Sequence, residues 1–134
     1  MSEFPNYSNL ARLSGLSSKE LDQFKMAWIS LPRESRREIL NRLIELGEEN
    51  LELSFFEVFQ ACLSDYDDEV RTKATIGLWE CDDRGIIRPL IHLLNHDTSD
   101  TVRAASATTL GKFATLARSG KLHFRDRDRL ATHY

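Results

Sequence analysis

The sequence predicts an all-α chain of about three helical hairpins, stacked as a right-handed α-α superhelix. Three observations carry this. Val70-Arg71-Thr72-Lys73-Ala74-Thr75-Ile76-Gly77-Leu78 and Val102-Arg103-Ala104-Ala105-Ser106-Ala107-Thr108-Thr109-Leu110 share one pattern, and each follows an acidic turn, Asp65 to Asp68 and Asp97 to Asp100. A recurrence at about 32 residues is the mark of stacked repeats. Apolar residues fall at helical spacing along the chain, and no stretch shows the apolar/polar alternation of a half-buried strand.

Residues 1–16 read as a loosely ordered N-terminal arm. Ser17-Ser18-Lys19-Glu20 opens the first helix as a capping box, in which Ser17 and Glu20 satisfy each other's free backbone donors. Leu21, Phe24, Trp28 and Leu31 form its apolar stripe, and Pro32 stops it. The second helix runs from about Arg33 to Leu46, with Leu40, Leu43 and Ile44 inward and Gly47 as expected terminator. Residues 17–53 thus make an N-terminal capping hairpin.

The third helix covers about Phe55–Leu63 and buries Phe55, Val58, Phe59 and Cys62. The fourth, about Glu69–Cys81, carries Val70, Ala74, Gly77, Leu78 and Cys81 inward, with Asp68 or a neighbour as its cap. The fifth, about Ile86–Asn95, tolerates Pro89 because amides of a first turn lack helical partners anyway. The sixth, about Thr101–Arg118, buries Val102, Ser106, Leu110, Phe113 and Ala117. Residues 54–118 therefore hold two related hairpins, and residues 119–134 read as a linker and the start of a further helix.

Composition narrows the function classes. A chain of 134 residues, 41% hydrophobic and 29% charged, fits one domain or a short array. A net charge of −3, from 21 acids against 18 bases, gives no footprint for nucleic acid and no polybasic cluster for a membrane. The N-terminus has no basic region followed by an apolar core, so no secretory signal is read there. Cys62 and Cys81 read as reduced small hydrophobes, and a cytoplasmic setting is expected.

The motif itself resembles the HEAT repeat, in particular the short type of phycobilisome-lyase-like proteins. Asp67/Asp68-Val70-Arg71-Ala74-Leu78 and Asp100-Val102-Arg103-Ser106-Ala107-Leu110-Gly111 carry the resemblance, and an early Pro89 also fits. The resemblance implies a scaffold or adaptor whose second helices line a concave face where another protein binds. It also offers two alternatives: nucleic-acid binding of the alkylpurine-glycosylase kind, or a lyase-type enzyme or enzyme partner of the phycobilisome-lyase kind. Neither has further support in the residues, because Lys112 is nearly the only base on the expected face and no catalytic constellation is visible.

On that face the sequence places Thr72, Thr75, Ile76, Trp79 and Asp83 from the fourth helix and Thr108 and Lys112 from the sixth. Trp79 has two readings: an exposed binding anchor, or a ring packed on the preceding repeat. Arg71 and Arg103 lie at the seam between repeats, and an Arg–Asp ladder is expected with Asp68 and Asp100 as partners. No cofactor is implied. His92 and His96 share one helix face but lack the further ligands a zinc site needs. Asp65-Tyr66-Asp67-Asp68-Glu69 departs from a calcium loop, with Val70 where Gly is required and Ile76 where the bidentate Glu belongs. The basic run Arg118 to Arg129 reads as a solvated linker, its field weakened by Asp126 and Asp128. An unfinished C-terminal repeat would expose an apolar edge, which favours self-association.

Overall fold

A computed structural model describes residues 7–118, and the arm residues 1–6 and the expected linker and helix start at 119–134 lie outside them. Within that span the chain is all-helical: α1 (Ser18–Trp28), α2 (Arg33–Glu49), α3 (Phe56–Ala61), α4 (Asp68–Gly77), α5 (Ile87–His96) and α6 (Asp100–Arg118).

The capping box at α1 is formed: Glu20 N donates to Ser17 Oγ at 3.2 Å and Ser17 N donates to Glu20 Oε1 at 2.9 Å. Substituting Ser17→Ala is expected to cost about 1 kcal/mol and to speed amide exchange in the first turn of α1 while leaving α4 to α6 unchanged. Pro32 N-caps α2, its φ of −59° suited to entering a helix. That helix runs beyond Gly47, which keeps helical backbone, and ends where Asn50 N donates to Leu46 O. Gly47 is therefore not a terminator: ending a helix on glycine needs a left-handed residue, and only Gly15 has positive φ among the described residues.

Asp67 caps α4 by accepting from Val70 N, and Ser99 does the same for Val102 N at the start of α6. The fourth helix is shorter than its apolar pattern suggests. Beyond Gly77, Leu78 to Cys81 leave the helix in successive turns, Trp79 N donating to Ile76 O and Cys81 N to Leu78 O. Leu78 and Cys81 stay buried all the same, so burial alone does not mark the helix end.

In the stack, α2 packs on α4 and α4 on α6, while α3 covers α4, α5 covers α6 and α1 touches α3. Val70 and Val102, the two motif valines, are both fully buried, each beginning the second helix of its pair. Phe55, Val58 and Phe59 from α3 and its entry, and Ile87 and Leu90 from α5, complete the two hairpin cores together with Leu78, Leu110 and Phe113. Burying each such side chain contributes about 1.5–3 kcal/mol.

The arm is not loose throughout. Residues Tyr7–Leu13 form 3-10 turns, with Leu10 and Leu13 buried against α2. Gly15 turns the chain at φ 64°, and Gly15 N donates to Ser54 O while Ser54 N donates to Ser14 Oγ. The leucine spacing of three carries this packing.

Candidate functional site

The inter-repeat turns tie each repeat to the one before it. Asp65 and Asp97 sit at equivalent places with near-identical extended backbone, φ/ψ of −62°/150° and −69°/140°. Each accepts the backbone N–H two residues on through Oδ1, from Asp67 and Ser99, at 2.9 Å. Each also takes a guanidinium from the preceding repeat. Arg36 Nε lies 3.2 Å from Asp65 Oδ2; Arg71 Nε and Nη2 donate to Asp97 Oδ2 and Oδ1 at 2.8 and 3.1 Å. Arg71 Nη1 also reaches the Asp65 carbonyl at 2.8 Å, and Arg103 Nη1 reaches the Asp97 carbonyl at 2.6 Å.

The ladder partners are thus Asp65 and Asp97, which corrects the expectation of Asp68 and Asp100. Those two are the first residues of α4 and α6, where the chain has already turned and their exposed carboxylates face water. Asp100 bonds only along its own helix, to Arg103. A second, parallel link joins Arg37 to Asp67 by two hydrogen bonds of 2.8 Å.

The expected binding residues divide. Ile76 is 50% and Trp79 47% exposed, one turn apart at the end of α4, and Thr108 is exposed on α6. Thr72 is half-buried, its hydroxyl donating to Asp68 O. Thr75, by contrast, is fully buried. Its carbonyl accepts from Thr109 Oγ1 at 3.3 Å, so it belongs to the α4–α6 contact. A helix in the middle of a stack is covered on two flanks as well as beneath, and Thr75 lies on one flank. Asp83 lies beyond the end of α4, where it accepts from Gly85 N. Lys112 is half-buried, its ammonium donating to the carbonyls of Trp79 and Cys81 and lying 4.8 Å over the Phe113 ring. It closes the frayed end of α4 instead of offering a free charge.

One concavity was not legible in the sequence. A groove of about 460 Å³ opens between α1 and the α3–α4 turn, lined by Phe24, Trp28, Ile29, Arg36, Cys62 and Tyr66 among others. Phe24 and Trp28 stack with centroids 5.1 Å apart, and the Trp28 indole N–H donates to Asp65 Oδ2 at 2.8 Å. The wall is thereby tied to the same carboxylate that holds the repeats. Trp28 reads from sequence as a core residue, which it is; that its outer edge walls a groove depends on Tyr66, hidden inside an acidic turn.

The family model for HEAT repeats matches residues 57–121, the segment that holds both motif copies and the Arg71–Asp97 rung. Residues 57–121 are HEAT repeats. No curated protein and no solved structure matches the chain.

His92 and His96 are exposed with ring centroids 4.7 Å apart, and among the described residues no three metal-ligating side chains converge. No helix there is long and apolar enough to cross a membrane. Cys62 and Cys81 are buried free thiols, and burial pushes both above the usual thiol range, away from the reactive thiolate.

The Arg37 hydrogen bonds hold the Asp67 carboxyl below its ordinary range. Burial is the largest influence on Asp97 and acts the other way, but the Arg71 hydrogen bonds, the Ser99 N–H and the charges of Arg71 and Arg103 together outweigh it, and the carboxyl again lies low. Depressed folded-state values stabilise the fold above the unfolded carboxylate range, and that contribution disappears as pH falls through them. Urea midpoints should therefore drop below about pH 4. The paired substitutions Asp67→Asn and Asp97→Asn should flatten that drop; an unchanged slope would remove these two groups from the acid response.

Proposed function

We propose that this chain is a protein-binding module, a scaffold or adaptor that holds a partner polypeptide on the face formed by its second helices. The observation that carries the reading is Ile76 in the last turn of α4 and Trp79 just beyond its end, two large apolar side chains left half in water. Thr108 is likewise exposed on α6, the second helix that packs against α4. Tryptophan is among the side chains most enriched at binding hot spots. HEAT repeats generally mediate protein–protein interaction, in keeping with this role.

Recognition of this kind works by shape and a few apolar anchors, without a chemical step. A nucleic-acid reading is disfavoured because Lys112, the base expected on this face, spends its ammonium on backbone carbonyls. Two buried free thiols suit the cytoplasmic setting that belongs to this proposal. The test is affinity capture from a lysate with the wild-type chain and with Trp79→Ala. The variant should keep its circular dichroism and melting profile and lose specific partners by about tenfold. Unchanged capture by a folded variant would sink the proposal.

A further inference from the structure

The groove between α1 and the α3–α4 turn lies apart from Ile76 and Trp79, and its chemistry is specific. Tyr66 is 97% and Ile29 75% exposed, yet both line one concavity whose wall is the stacked Phe24–Trp28 pair. An apolar ring held almost wholly in water beside an apolar recess is half of a contact. The recess does not collapse, because Trp28 is fixed by its bond to Asp65 and Asp65 by Arg36.

Charge narrows the occupant. Arg36 and Asp65 neutralise each other within the lining. Lys25 is exposed, lines the same groove, and has no carboxylate partner among the described residues. A chain of net charge −3 therefore carries one uncompensated positive charge at the lip of its apolar groove. From this we infer that the groove is a second docking site, for a short peptide segment presenting an apolar side chain close to a carboxylate. The apolar group seats between Ile29 and Tyr66 over the Phe24–Trp28 wall, and the carboxylate pairs with Lys25, where steering and specificity come from complementary charge.

A phage-displayed library of random dodecapeptides selected on the full chain tests this. Enriched peptides should share an apolar residue within a turn of Asp or Glu. Retested by calorimetry, they should weaken about tenfold on Tyr66→Ser and on Lys25→Glu, and bind Trp79→Ala as they bind wild type. Both groove substitutions fall on exposed side chains, and circular dichroism confirms the fold. Selection on Lys25→Glu should turn the preference toward Lys or Arg. Absence of enrichment, enrichment of sequences lacking acids, or binding indifferent to Tyr66 and Lys25 would overturn the inference. Peptides lost on Trp79→Ala alone would also overturn it while favouring the second-helix face.

Discussion

Replacing Arg71 by methionine is expected to lower the unfolding free energy by roughly 2 to 3 kcal/mol, far more than the same change at its repeat-mate Arg103. The two arginines occupy the same motif position, and the difference lies in what they hold. Arg71 makes a two-bond fork to Asp97, whose side chain is 4% exposed against 14% for the guanidinium, and it also satisfies the Asp65 and Tyr66 carbonyls. Removing it strands a carboxylate that water scarcely reaches. Arg103 donates to the Asp97 carbonyl, but its only carboxylate partner among the described residues is an exposed one on its own helix, a pair worth about 0–1 kcal/mol, so its loss strands no buried charge. Urea unfolding of both variants, with Asp97→Asn added to Arg71→Met, checks the mechanism. The double variant should regain part of the loss, because the stranded charge is gone.

The second large effect is at Gly77. A methyl group there would stand 2.5–2.6 Å from three ring atoms of Phe59, and that ring is buried, so it has no open space to swing into. Overpacking of this kind costs about 1–3 kcal/mol, against a gain of about 1 kcal/mol for alanine over glycine in a helix. Gly77→Ala should destabilise by up to about 2 kcal/mol net. Combined with Phe59→Leu, which trades the ring for a smaller side chain, it should cost less than the sum of the single changes. Equal costs in both backgrounds would show that the ring is not the obstacle.

These two positions also show what the sequence holds and what it hides. Helical spacing and the paired motif locate the helices, because burial of one stripe is a one-dimensional pattern. Val70 and Val102 follow from it directly. The ladder partners do not, since Asp65 and Asp68 are equally acidic and only the turn's extended backbone sends one carboxylate back across the seam. Thr75 goes wrong for a related reason: whether a flank of α4 is wet depends on the neighbour supplied by α6, which no local pattern records. Lys112 reads as a surface base because its acceptors, the carbonyls of Trp79 and Cys81, exist only when α4 ends early. Leu10 and Leu13 carry a usable signal, their spacing of three, that a short polar stretch obscures. The groove is least legible of all, being assembled from α1 and a turn distant in the chain.

The proposed role in holding a partner rests on the exposed apolar side chains at the end of α4, Ile76 and Trp79. The most direct test places a benzophenone photo-crosslinker at position 79 and, separately, at the exposed His92 on α5, and illuminates each in lysate. The account predicts covalent capture of a discrete protein partner from position 79 and not from position 92. Equal capture from both positions, or none from position 79, would contradict it.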